Sequence, residues 1–213
     1  MFRPLLRSIL ALGLLALVST GSYAGGPNPN LSTTPGFIRL VGATGGAPDA
    51  TAGQFTVVAR DPANNPVNGA SIVLDLSNCT DLAVCSDQMD ANALVNCAAK
   101  TVRKFTNALG MVTFTVLGRG TGAGNAASLA HSARIYGNGT LLGSPSVSAF
   151  DLDGSGGVGA GDLSVWFGDF GSGVPYERSD FDGSGTIGAD DLSEWLGVFG
   201  VGGSTQSCAA SCP

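Results

Sequence analysis

The stretch Asp151-Leu-Asp-Gly-Ser-Gly-Gly-Val-Gly-Ala-Gly-Asp162 carries oxygen-bearing side chains at its first, third, fifth and twelfth positions, and Asp180 to Asp191 repeats the arrangement. Hard oxygen donors at that spacing suit a hard cation. Calcium takes roughly six to eight oxygens at about 2.3–2.6 Å, and a twelve-residue loop offers them from positions 1, 3, 5, 7, 9 and 12. The first loop supplies Asp151, Asp153 and Ser155, the carbonyl of Gly157, and Asp162; the second supplies Asp180, Asp182, Ser184, the carbonyl of Thr186, and Asp191. Gly156 and Gly185 stand sixth, where the chain must turn sharply and a positive φ is expected. Gly159 and Gly188 stand ninth and offer no side chain, leaving that vertex to water. Two calcium ions are therefore expected. Magnesium is less suited because it holds to a tighter octahedron and keeps its waters.

The elements that position these loops follow in the sequence. Residues 151–171 and 180–200 agree at 14 of 21 positions, which marks an internal duplication. After each loop comes one apolar stripe at helical spacing: Leu163, Trp166, Phe167 and Phe170 in the first copy, Leu192, Trp195, Leu196 and Phe199 in the second. The tryptophans are expected in a core. Asp162 and Asp191 fall near the helix N-termini, where negative charge is favoured. Val158 and Ile187 are placed to pair across the loops, and Gly171 and Gly200 to cap the helices. Residues 151–200 hold ten acids and one base, Arg178, for a local charge of -9. That charge repels phosphate backbones and anionic lipid, so nucleic acid is excluded as a partner, and folding of the segment should depend on the cation.

This duplicated pattern resembles the dockerin module, which has two calcium loops, each followed by a helix, and Asp at the twelfth position. The resemblance covers residues 150–200 and implies a secreted protein held by a cohesin domain, commonly on a scaffold that gathers polysaccharide-degrading enzymes. In that family recognition uses loop positions 10 and 11, here Ala160-Gly161 and Ala189-Asp190, and later helix positions that are often basic, here Phe167-Gly168 and Leu196-Gly197.

Upstream, short runs rich in Val, Ile, Thr and Phe are separated by turn residues. The clearest span 54–59, 71–76, 101–106, 111–117 and 133–136. In the fourth, Val112, Phe114 and Val116 share the face opposite Thr113 and Thr115. Such spacing predicts an antiparallel β-sandwich. The segment Asp61-Pro-Ala-Asn-Asn-Pro-Val-Asn-Gly-Ala70 and the later Phe105-Thr-Asn-Ala-Leu-Gly-Met-Val-Thr-Phe114 resemble the bacterial immunoglobulin-like domains of invasin-type surface proteins, with Asn107 in place of the usual Asp. The fold expected is mainly β with a small α module: an immunoglobulin-like β-sandwich over 37–149, then the EF-hand-like dockerin module over 150–202, then a tail over 203–213.

Arg3 and Arg7 precede an apolar run from Ile9 to Val18, and Ser22-Tyr23-Ala24 offers small residues for cleavage. Residues 1–24 therefore read as a secretory signal, since about 18–20 apolar residues are needed to span a bilayer. Residues 25–36, with three prolines, read as an extended linker, and order is expected from Phe37. In a secreted chain the five cysteines predict one bridge within Cys79, Cys85 and Cys97, one between Cys208 and Cys212, and one thiol left over. Gly118 to Gly124 lacks a P-loop lysine and reads as a mobile loop, and the two GxGxxG matches in the acidic loops would repel a pyrophosphate. His131, the sole histidine, sits beside no nucleophile motif. The sum points to a secreted or surface-bound, non-catalytic protein that docks through its calcium module. A carbohydrate-binding accessory and a surface protein merely stiffened by calcium are the alternatives.

Overall fold

The computed structural model describes residues 25–122, 131–202, Cys208 and Cys212. The signal expected over 1–24 and most of the 203–213 tail lie outside the described residues. The chain is mainly β with few helices. In order come β1 (Phe37–Leu40), β2 (Ala43–Thr44), β3 (Ala47–Pro48), the single turn α1 (Ala50–Gly53), β4 (Gln54–Val58), β5 (Ser71–Asp75), β6 (Leu82–Val84), β7 (Leu94–Asn96), β8 (Thr101–Phe105), β9 (Met111–Thr115), β10 (Gly118–Gly120), β11 (Arg134–Gly137), β12 (Thr140–Gly143) and β13 (Ser146–Ala149). The helices α2 (Ala160–Ser172) and α3 (Ala189–Gly202) follow, with a 3-10 turn, Glu177–Ser179, between them.

The largest sheet is antiparallel, ordered β12-β11-β5-β8-β7, while β4 pairs antiparallel with β9 and β1 parallel with β13. Alternation decides which side chains go inside: Val112 and Phe114 of β9 are buried between exposed or half-exposed neighbours, and Phe114 stacks on Phe55 of β4, its register partner, at 5.3 Å. Ile72 and Leu74 of β5, Val102 of β8 and Ile135 of β11 close the same core.

Two polar turns fix the register. The carboxylate of Asp61 accepts hydrogen bonds from the N–H groups of Ala63 at 2.9 Å and Asn65 at 2.8 Å, so it closes its own turn and lies below the usual carboxylate range, the Asn65 N–H contributing most. Asn107 does the same work before β9, its side-chain oxygen accepting from Leu109 and Met111. Buried Thr106 accepts from Ala70 N–H at 2.8 Å and donates to the Val67 carbonyl at 2.6 Å. The turn ends at Gly110, with φ at +72°, where a Cβ would meet the Ala59 carbonyl at 2.5 Å. Gly110→Ala should therefore cost about 1–2 kcal/mol for the left-handed backbone alone, with the collision added, and a urea unfolding midpoint will report it.

Several expectations are corrected. Residues 25–36 are not a free linker: Pro27 is buried, Asn28 N–H donates to the Arg60 carbonyl at 2.7 Å, and Thr33 exchanges backbone hydrogen bonds with Val58. The prolines mask this only in part, because the residues between them keep their N–H groups, and Thr33 pairs with the end of β4. Gly118–Gly120 is not loop but strand β10, paired with β6. The disulfides join Cys85 to Cys208 and Cys97 to Cys212, with Cys79 free and buried. The expected local bridges do not form because the tail returns to the β-rich region, where Cys212 N–H donates to the Val84 carbonyl at 2.7 Å.

A second core joins the two parts of the chain. Val41, Ala43, Cys85 and Leu117 pack there with Phe150, Leu152, Trp166, Phe181 and Trp195. Beside it the turn Glu177–Ser179 is pressed onto β13. Glu177 is 2% exposed, and its carboxylate accepts from the Ser132 hydroxyl and from the N–H groups of Ser132 and Val147. Burial pushes its carboxyl up to about 8; the two N–H groups oppose this, and the charge of Asp81 adds to it. The folded protein thus retains a proton that the unfolded chain releases near 4.5. Stability from this group is complete below about pH 4.5 and is lost as pH rises through about 8, at up to about 1.4 kcal/mol per pH unit. Glu177→Gln should flatten that decline in unfolding experiments between pH 5 and pH 9.

Candidate metal centre

The first carboxylate cluster is assembled where β13 gives way to α2. Asp151, Asp153 and Asp162 bring one oxygen each within 4.8 Å of one another, and Asp180, Asp182 and Asp191 do the same in the second copy. These are two groups of acids that could hold metal ions. Backbone amides shape both in the same way. Asp162 accepts from Asp153 N–H at 2.9 Å and from Gly159 N–H at 2.6 Å, so the carboxylate closing the loop also caps the first turn of α2. Asp191 repeats this with Asp182 at 3.0 Å and Gly188 at 2.7 Å. Asp151 accepts from Gly156 N–H at 3.0 Å and Asp180 from Gly185 N–H at 2.8 Å. Gly156 and Gly185 hold φ of +98° and +85°, the reversal expected at the sixth position.

The electrostatics are those of negative charge gathered out of water. Asp162 is fully buried, and burial, reinforced by the charges of Asp153 and Asp151, lifts its carboxyl to about 6. Asp180 and Asp191 are also raised, chiefly by burial. Asp153 and Asp182 go the other way: burial lifts them, but hydrogen bonds from Ser155 and Ser184 outweigh it. Each loop therefore sets two buried carboxylates beside a third nearer solvent, and a cation between them would relieve the buried charge.

The remaining donors fall as follows. Ser155 N–H donates to Asp153 at 2.8 Å, and Gly157 lies half-buried two residues on. In the second loop the Ser184 hydroxyl donates to the Thr186 carbonyl at 3.2 Å. No family model, curated protein or solved structure matches this chain.

The helices depart from their sequence pattern. Trp166 and Trp195 are buried, and the Trp195 indole N–H donates to the Phe150 carbonyl at 3.3 Å. Phe167 and Phe170 on α2 and Leu196 and Phe199 on α3 are instead 41–54% exposed, Phe170 and Phe199 stacking on the tryptophans from outside. The stripe is wider than the core it meets. Val158 and Ile187 both pack on the second core. Helix α2 ends not at Gly171 but at Gly173, with φ at +68°, and α3 runs through Gly200.

Sequence reasoning missed one pair. Arg178 donates to both oxygens of Asp169, at 2.8 and 2.7 Å, and Ser179 adds a third bond at 2.6 Å. A signal was available, since Asp169 is a position where the copies differ, facing Val198 in the alignment, and Arg178 is the only base in an acidic segment.

Proposed function

We propose that the chain is a secreted, non-catalytic protein in which a dockerin-like module over 150–202, loaded with two calcium ions, docks an immunoglobulin-like β-sandwich onto another extracellular protein. The observation that carries this reading is the recurrence of one carboxylate cluster, at identical spacing and with the same backbone bonds, ahead of each of two helices. The donor set of carboxylates, a serine hydroxyl and a carbonyl fits calcium rather than a softer ion. The exposed Phe167, Phe170, Leu196 and Phe199 occupy matching positions on both helices and supply apolar surface for a partner. A cohesin domain of a scaffold linked to polysaccharide breakdown is the partner that the dockerin resemblance suggests.

A second reading is favoured by the two disulfides and the shared second core, which fasten the helical segment to the β-rich region. On that view calcium serves the stability of one combined fold. Native mass spectrometry of the mature chain should count two calcium ions in micromolar calcium with magnesium in excess. A chain that carries none, or that exchanges them for magnesium, contradicts the proposal.

A further inference from the structure

The two loops are alike within themselves but are held by different means. Strand β10 lies between two backbones. On one side it pairs with β6, Gly118 opposite Val84 and Gly120 opposite Leu82, and Thr121 N–H reaches the Asp81 carbonyl at 2.9 Å. On the other side Gly120 N–H donates to the Asp151 carbonyl at 2.6 Å and Gly122 N–H to the Leu152 carbonyl at 3.1 Å. The start of the first loop is thus tied to β10 by two backbone hydrogen bonds. The approach is close: a Cβ on Gly120 would overlap the Leu152 carbonyl, and one on Gly154 would meet the Gly120 carbonyl at 2.7 Å. Arg119 completes the seam by donating to the Gly154 carbonyl.

Among the described residues, no backbone N–H donates to the corresponding carbonyls of the second loop, those of Asp180 and Phe181. The Phe181 carbonyl accepts from the Arg39 side chain, and Gly183 is packed by the Phe37 ring. Arg39 is shared with Ala52 at 3.4 Å and Glu194 at 3.6 Å. A long side chain gives up rotamer freedom to hold that place, whereas β10 is already fixed by its sheet.

We infer that strand β10 is a structural part of the first metal site, so that the two sites are unequal: the first, held on the β-rich region, binds its ion more tightly and transmits occupancy into β10. The inference rests on the proposal that these loops bind calcium. A loop held in its liganded shape has less to order on binding, and sparing one residue's backbone ordering is worth about tenfold in affinity.

The test uses the full mature chain with its disulfides intact, titrated with calcium by calorimetry. Asp182→Asn disables the second loop and should leave a site matching the tighter step of the wild type. Asp153→Asn disables the first and should leave one about tenfold weaker or more. Hydrogen exchange on the unmutated protein gives a readout independent of any variant: calcium should slow the Gly120 and Gly122 amides while leaving the β4–β9 pair unchanged. Equal affinities in the two variants, or unchanged exchange at Gly120 and Gly122 with two ions bound, would overturn this inference alone. A chain that binds no calcium overturns it together with the proposed function.

Discussion

Returning calcium to the chelated protein is expected to raise its thermal unfolding midpoint by about 10–20 °C. Ligand bound only by the folded state stabilises by about 2.7 kcal/mol at 100 times its dissociation constant, and two independent sites give about 5 kcal/mol. A domain of this length gains about 2–4 °C per kcal/mol. The structure gives the effect its physical source. Asp151, Asp162, Asp180 and Asp191 are all buried at 4% exposure or less, and each shares its site with two other carboxylates. Without a cation the folded state must keep that repulsion or take up protons; burial, with the charges of Asp153 and Asp151 added, already lifts the Asp162 carboxyl to about 6. With a cation the same charges become attraction. Asp151→Asn combined with Asp180→Asn should abolish the calcium-dependent shift, and the same shift persisting in that double variant would sink the assignment. A shift equal in magnesium would argue for a generic charge effect.

How far the sequence foretold this structure depends on the distance over which each feature is decided. The strands are legible because alternation is local, as in Val112 and Phe114, and so are the turns built by Asp61 and Asn107, whose side chains bond their own neighbours. The carboxylate clusters are legible because each is closed within twelve residues. The features that were misread are settled by partners far along the chain. Cys85 and Cys97 meet cysteines 123 and 115 residues away, and no local spacing records that return. Gly118–Gly120 looks like flexible sequence, yet the missing side chain of Gly120 is what lets β10 approach the first loop. The apolar stripe of each helix shows which face is greasy but not how much of it the rest of the fold covers, and Phe167 and Phe170 remain outside.

Arg178→Met should be the most damaging single substitution away from the metal loops, costing about 3–5 kcal/mol and lowering the unfolding midpoint by about 6–20 °C. Both partners of its ion pair are 4% exposed, so removing the guanidinium strands the Asp169 carboxylate among buried atoms, with Ser179 its remaining side-chain donor among the described residues. The hydrogen bonds that Arg178 donates to Asp169 raise its guanidinium above the ordinary range, a sign that the charged pair is mutually held. More than one pair is lost, because the same guanidinium donates to the Gly122 carbonyl at 3.3 Å and lies over the Tyr176 ring at 5.6 Å. It therefore ties the end of α2 and the connection between the copies to the segment leaving β10. Replacing both partners separates the stranded charge from the shape of the site. In the second copy the position of Asp169 is filled by Val198, an apolar residue against the shared core. Arg178→Met with Asp169→Val recreates that solution and should recover most of the loss, since apolar replacement of a buried pair is commonly neutral or better. A double variant as unstable as the single one would mean that the bond to Gly122, rather than the buried charge on Asp169, sets the cost.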